Sequence, residues 1–374
     1  MTVSTPYHIP KPFKVSIIGS GNWGTAVAKL VAENTAEKTG IFQREVNMWV
    51  YEEMIEDRKL TDIINNEHEN VKYLPDVKLP VNLIANPDIV DTVQGADLIV
   101  FNIPHQFLGR IVKQLDGHVK PTARAISCLK GLEVGPEGCK LLSTSITEKL
   151  GLYCGVLSGA NIASEVARGR WSETSIAYTV PADFRGPGLD IDEFVLKQCF
   201  HRPYFHVRVI RDVVGASIAG ALKNVVACAV GFVIGAGWGD NARAAIMRIG
   251  IREIINFASY WEKFGIKGLL PPNHSTFTEE SAGVADLITT CSGGRNVKVA
   301  KYMVENNVDA WEAEKIVLKG QSSQGIITSK EVHELLENFS LQDQFPLFEA
   351  TYKVIYEDGS VEDFPRLLED DSVC

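Results

Sequence analysis

Two hydrophobic periodicities follow one another along the chain. Up to about residue 211, short β-branched and apolar runs alternate with stretches in which apolar positions recur every three to four residues. The runs Val15 to Ile18, Val46 to Tyr51, Val81 to Ala85, Leu98 to Ile103, Ala123 to Cys128, Val156 to Ser158, Ser175 to Val180 and Phe205 to Ile210 predict strands. Between them, Trp23 to Ala32, Asp88 to Gln94, His105 to Leu115, Cys139 to Leu150 and Asp190 to Cys199 predict helices. Such alternation implies a mostly parallel α/β sheet, doubly wound, with helices on both faces. After residue 211 the strand signals stop. Helical patterns follow over Gly215 to Val230, Ala242 to Phe264, Ser281 to Thr290, Asn296 to Asn306, Ala310 to Leu318, Ser329 to Leu336 and Pro346 to Tyr356. The expected organisation is a flexible N-terminal arm over 1–12, an α/β domain over 13–211 and an all-helical domain over 212–374. The charged stretch Ala32 to Glu45 reads as a helix end with a surface insertion, and Lys72 to Pro80 as an exposed loop.

Composition narrows the class. A chain of 374 residues with 45% hydrophobic and 22% charged residues is an ordinary globular protein of about two domains. The excess of 47 acidic over 37 basic residues, with no Lys/Arg run, argues against a nucleic-acid partner. The seven cysteines form no CxxC pair, so neither a zinc site nor a disulfide framework is expected, and reduced thiols suit a cytoplasmic setting. No ligand spacing suggests a metal. The N-terminus lacks the apolar core of a secretion signal. Val213 to Gly237 is apolar enough to imitate a membrane helix and contains Gly231-x-x-x-Gly235, but Lys223 and Asn224 sit near its centre. A central lysine costs about 2.5–3.5 kcal/mol on insertion, so a buried core helix is expected and no membrane partner.

The first chemical signal is Gly19-Ser20-Gly21-Asn22-Trp23-Gly24, a GxGxxG between a predicted strand and a predicted helix. In that context the first glycine allows a tight turn, the second lets backbone approach a pyrophosphate, and the third lets helix and strand pack closely. The helix N-terminus favours the phosphate charge. The α/β domain is therefore expected to be a Rossmann-type dinucleotide-binding domain. The second strand ends at Tyr51-Glu52-Glu53, where a carboxylate could accept from the adenosine ribose and repel a 2′-phosphate, which favours NAD over NADP. Pro104-His105-Gln106-Phe107 follows another strand's carboxyl end, where a nicotinamide would lie.

The second signal is Lys223. Within Ala216 to Phe232 the only other polar side chains are Ser217 and Asn224, and desolvation there would lower a lysine's pKa toward neutrality. A hydride moving to a ketone carbon leaves an alkoxide that must receive a proton, and such a lysine can supply it. Lys130, after the strand Ala123 to Cys128, could hold substrate oxygens or be merely exposed. His105, next to Pro104 at a turn, reads as structural rather than as a proton carrier. Ser292-Gly293-Gly294-Arg295-Asn296, between two helical patterns, could converge backbone N–H groups and a guanidinium on a phosphate. Asp286 and Thr290 share a helix face and could orient Lys223, a contact the sequence leaves open.

Together with Lys130-Gly131, Gly159-Ala160-Asn161-Ile162-Ala163, Ala221-Leu222-Lys223-Asn224-Val225 and Gly293-Gly294-Arg295-Asn296, these segments resemble, in order and over nearly the whole chain, the eukaryotic NAD-dependent glycerol-3-phosphate dehydrogenases. Gly320-Gln321-Ser322-Ser323-Gln324-Gly325 is most similar to fungal members. The resemblance implies interconversion of dihydroxyacetone phosphate and sn-glycerol 3-phosphate by a cytoplasmic homodimer. It implies Lys223 as general acid/base, Lys130 and Asn224 beside it, Asp286 and Thr290 in support, and Arg295 with Asn296 as the substrate-phosphate clamp. Tyr51, Phe107, Ala163 and Gln324, with Lys130 and Arg295, match positions on the NAD side. Ser322 departs from the lysine of some animal members, which puts any closure aided by that charge in doubt. Two rivals are a hydroxyacid or 6-phosphogluconate-type dehydrogenase and an NADH-binding regulatory protein without turnover.

Overall fold

The computed structural model describes residues 6–135 and 138–369. It divides into two compact units, residues 1–129 with 142–213, and residues 130–141 with 214–374.

The first unit is built on eight strands: β1 (Phe13–Ile18), β2 (Phe42–Trp49), β3 (Leu83–Asn86), β4 (Leu98–Phe101), β5 (Arg124–Ser127), β6 (Cys154–Ser158), β7 (Ser172–Ala177) and β8 (Phe205–Ile210). Their order across the sheet is β8-β7-β6-β5-β4-β1-β2-β3. Every neighbouring pair is parallel except β6 with β7, which is antiparallel. The chain winds outward from β1 to β3 on one side and resumes at β4 on the other, so the loops after β1 and β4 share the switch point where a doubly wound sheet opens a crevice. Strand β4 shows why both faces are covered. Leu98 and Val100 enter one core cluster and Ile99 and Phe101 the other, all fully buried.

Four expectations for this unit are corrected. The arm docks over its described part: Tyr7 packs edge-on against Phe194, its hydroxyl donates to Asp192 at 2.5 Å, and Ile9 joins the core. Residues 1–5 lie outside the described residues. The stretch from Ala32 to Glu45 is a helix end as expected but makes no long surface excursion, because the first helix runs Asn22–Glu37 and β2 starts at the buried Phe42. The loop 72–80 is pinned by Leu74, Val77 and Leu79, all buried. Finally, residues 130–141 leave the unit altogether.

That excursion forms a hairpin, Leu132–Gly135 with Gly138–Leu141, which belongs to the second unit and replaces the start of the helix expected from Cys139; the helix begins at Leu142 and ends at Leu150. Leu132, Cys139 and Leu141 are buried in the second unit's core, and the Cys139 N–H donates to the Phe264 carbonyl at 2.8 Å. Otherwise this unit is helical. Its axis is the helix Val213–Gly235, whose most apolar window is 89% buried inside the protein. A Cβ on Gly231 would stand 2.6 Å from Ala300 Cβ and from the Val297 carbonyl, and one on Gly235 2.7 Å from the Lys301 carbonyl, so the two glycines are a contact with the helix Arg295–Asn306. The helix expected to reach Phe264 ends at Ser259.

Candidate active site

In the first unit the glycine loop has the division of labour its spacing implies. Gly19 turns at φ +108°, and a Cβ there would lie 2.5 Å from the Asn102 carbonyl. A Cβ on Gly24 would meet the Gly19 carbonyl at 2.3 Å, so helix and loop could not close around any larger residue. Gly21, the N-cap residue of the helix Asn22–Glu37, has nothing within 4 Å of the place a Cβ would take, which leaves open the side from which a pyrophosphate approaches. The Ser20 carbonyl is held by Thr25 Oγ1 and by Asn70 Nδ2, each at 2.9 Å. Asn70, fully buried, also donates to Thr25 Oγ1 at 2.8 Å. Sequence reasoning missed it, because a lone Asn outside the motif carries no signal until the fold brings it under the loop.

Around this loop, Asn22 is exposed, Trp23 packs on Phe205 at 6.2 Å between ring centroids, and Ala163 lies against the same small cluster as Trp23. Tyr51 and Phe107 are exposed aromatics at the ends of β2 and of the 3-10 turn His105–Phe107 after β4. The acidic pair does not fit its expected part. Both Glu52 oxygens accept from Thr61, from its N–H at 3.2 Å and its hydroxyl at 2.6 Å, at the start of the helix Leu60–Glu67. Glu53 is ion-paired to Lys72 and accepts from the Tyr73 hydroxyl at 2.6 Å. These carboxylates brace the loop after β2.

In the second unit the predicted chemical residues converge. Lys223 lies mid-helix with 5% exposure, and its ammonium is ion-paired with Asp286 Oδ1 and donates to Thr290 Oγ1 at 2.8 Å. Lys130, at the foot of the hairpin, reaches the other oxygen of Asp286 at 2.7 Å. One buried carboxylate thus lies between two ammonium groups, and the contact that the sequence left open is present. Burial pushes Lys223 down to about 7, against the pull of Asp286 and aided by the repulsion of Lys130. The Asp286 carboxyl is buried, yet the two ammonium groups hold it below its usual range. Just before Asp286 the chain makes a π-type turn, Ser281–Ala285, in which Gly283 has φ −97° and ψ −105°. A Cβ on Gly283 would lie 2.2 Å from the Thr276 carbonyl, so this glycine lets the helix Asp286–Cys291 start where its first carboxylate meets Lys223.

Asn224 and Asn296 belong to a second network, and Gln324 begins the helix Gln324–Asn338. Asn296 Nδ2 donates to Asn224 Oδ1 at 2.8 Å, while Asn296 Oδ1 accepts from Ser323 Oγ at 2.7 Å and from the Gly325 N–H at 3.0 Å. Asn224 Nδ2 donates to the Gly220 carbonyl at 3.3 Å. The Asn296 oxygen is therefore committed inside the protein, and only its remaining amide hydrogen is left for a ligand. Arg295 is exposed at the first position of its helix, after the N-cap Gly294, with Nη1 3.4 Å from Gln321 Oε1. No acidic residue occupies that helix's first turn. Among the described residues no group of three or more His, Cys, Asp and Glu is arranged to hold a metal ion.

The chain matches the NAD-dependent glycerol-3-phosphate dehydrogenase N-terminus over residues 14–183 and the corresponding C-terminus over residues 212–366. It is 81% identical over 371 residues to a glycerol-3-phosphate dehydrogenase [NAD(+)] 2 of Candida albicans, covering 99% of this chain and 100% of that one. Against a Saccharomyces cerevisiae relative named mitochondrial, it is 59% identical over 96% of this chain and 80% of the relative. A solved glycerol-3-phosphate dehydrogenase from the same yeast superposes with a TM-score of 0.90 at 58% identity, over 96% of this chain and all of that one. A ketopantoate reductase from Ralstonia eutropha, at 15% identity and a TM-score of 0.53, shares the fold alone. By both matched halves and by these relatives, the chain belongs to the NAD-dependent glycerol-3-phosphate dehydrogenase family.

Proposed function

We propose that the protein reversibly reduces dihydroxyacetone phosphate to sn-glycerol 3-phosphate, with Lys223 moving the proton. The observation that carries this reading is the buried Lys223–Asp286–Lys130 cluster, in which a lysine brought down to about 7 exists in both protonation states near neutrality. The glycine loop and open Gly21 fit a dinucleotide, which when bound supplies the hydride. As the substrate oxygen gains negative charge, Lys223 Nζ donates a proton to it; in the reverse direction the neutral amine takes the hydroxyl proton. Asp286 and Thr290 hold two of the three ammonium hydrogens and so aim the third. Lys130 adds positive potential and keeps Asp286 ionised. Arg295, the first backbone N–H groups of its helix and the remaining amide hydrogen of Asn296 hold the phosphate. Tyr51, Phe107, Ala163 and Gln324 are assigned to dinucleotide contacts on the family resemblance alone.

The test is NADH oxidation with dihydroxyacetone phosphate, run beside NADPH and unphosphorylated dihydroxyacetone. Turnover confined to NADH and the phosphorylated ketone is expected. NADH binding without turnover would replace the reading by that of a regulatory nucleotide-binding protein. We further propose a cytoplasmic homodimer, on the family resemblance and on six described cysteines that are buried and form no disulfide among the described residues, which suits a reducing compartment. Sedimentation and cell fractionation check the two parts.

A further inference from the structure

Within Gly320-Gln321-Ser322-Ser323-Gln324-Gly325 the sequence singles out only Ser322, and gives Ser323 no part. The structure does. Ser322 is partly exposed, whereas Ser323 is fully buried, its N–H donates to Glu314 Oε2 at 2.6 Å and its hydroxyl donates to Asn296 Oδ1 at 2.7 Å. We propose that Ser323 is a positioning residue for the phosphate clamp, holding the Asn296 carboxamide in the rotation that offers an N–H, and not the oxygen, to the phosphate. The proposal rests on the clamp reading given above.

The reasoning is a count of donors and acceptors. A carboxamide oxygen has two acceptor sites and its nitrogen two hydrogens. On Asn296 the oxygen is taken by Ser323 Oγ and the Gly325 N–H, and one hydrogen goes to Asn224 Oδ1. The other hydrogen remains. Turned by half a rotation, the NH2 group would face the Gly325 N–H, which cannot accept, and the oxygen would face both Asn224 Oδ1 and the incoming anion. The Gly325 N–H and the Asn224 oxygen therefore select one state, and the Ser323 hydroxyl, which donates to the oxygen in that state, anchors it. The two selecting partners belong to the rest of the site: Asn224 adjoins Lys223, and Gly325 packs so closely that a Cβ on it would stand 2.5 Å from the Asn224 carbonyl. Ser323 alone contributes through a side chain that can be removed without refilling the space. Gln321, at the other end of the segment, has its Oε1 3.4 Å from Arg295 Nη1. The segment 320–325 is thus tied from both ends to the two residues of the clamp.

The experiment compares Ser323→Ala, Ser323→Cys and Ser323→Thr with Arg295→Ala in the full chain. It measures kcat and KM for dihydroxyacetone phosphate, the inhibition constant of inorganic phosphate competing with it, kcat/KM for unphosphorylated dihydroxyacetone, and the Kd for NADH. Loss of one hydrogen bond of ordinary strength corresponds to a roughly three- to tenfold effect. The Ala and Cys variants are expected to raise KM and the phosphate inhibition constant together by about that factor, with kcat, dihydroxyacetone turnover and NADH affinity within about twofold. Thr, which keeps the hydroxyl, should restore both constants. If Arg295→Ala raises both constants and the Ala and Cys variants do not, Ser323 has no positioning role. If the Ala and Cys variants depress dihydroxyacetone turnover and NADH affinity as much as phosphate binding, its role is only structural and the proposal is overturned. If Arg295→Ala itself leaves the phosphate constant unchanged, the clamp reading fails first.

Discussion

Lys223 owes its chemistry to what surrounds it. Burial disfavours its ammonium form, Asp286 restores part of it, and the balance leaves the group near neutrality. The sign of the pH dependence follows. Ketone reduction needs the ammonium, so kcat/KM in that direction is expected to fall as pH rises through about 7, while alcohol oxidation needs the amine and should rise through the same pH. Parallel profiles in the two directions would refute Lys223 as the proton carrier. Lys223→Ala should lower kcat by about 10²–10⁴-fold with NADH affinity little changed. Asp286→Asn removes the charge that favours the ammonium, so the reductive limb should move to lower pH in whatever activity survives; a limb that stays in place would detach Asp286 from the titration. Much of this site was legible from residue type alone: a lysine in a long apolar stretch announces desolvation. Its partners were less so. The sequence places Asp286 and Thr290 on one helix face but not against Lys223, and the excursion that carries Lys130 to Asp286 is set by packing that no local pattern encodes.

Elements aim these residues through close contacts. The helix that begins with Arg295 crosses the Lys223 helix at Gly231 and Gly235, where no side chain fits. Gly231→Ala would push Ala300 and Val297 away and carry Arg295 with them. The expected result is a stability loss of about 1–3 kcal/mol together with a raised KM for the phosphorylated substrate. A control separates the two effects. Glu253 accepts from the Leu347 and Phe348 N–H groups at 2.7 and 3.0 Å, capping the helix Pro346–Tyr356. Glu253→Ala should cost a comparable amount, about 1–3 kcal/mol, by leaving those donors buried without an acceptor. If both variants lower Tm alike but only Gly231→Ala raises KM, the crossing positions the clamp; equal KM values would make it packing alone. All eight sheet strands were foreseen from β-branched runs, because a sheet covered on both faces writes itself as continuous apolar residues. The hairpin 132–141 was not. Its eight strand residues mix Glu, Lys, Cys and Gly with Leu and Val, and what holds them extended is their pairing with each other and a long-range bond to the Phe264 carbonyl.

At the scale of the molecule, the same hairpin makes the second unit discontinuous in sequence. A reading by pattern cuts the chain once, near Arg211, yet the second unit takes residues 130–141 from within the first. The helical core is then incomplete without them, since Leu132 and Leu141 are buried in it, each with 1% exposure, and Cys139 with 5%. Losing the burial of two core leucines forfeits roughly 3–6 kcal/mol, a large part of the 5–15 kcal/mol that usually holds a domain together. Residues 214–374 expressed alone are therefore expected to lose cooperative melting and to bind a hydrophobic dye. The same segment with residues 130–141 joined to its N-terminus through a flexible linker should recover a sharp transition, and with it the Lys130–Asp286 contact. A truncated segment that melts as cooperatively as the linked one, at the same Tm, would show that the hairpin contributes charge to the site without contributing to the core.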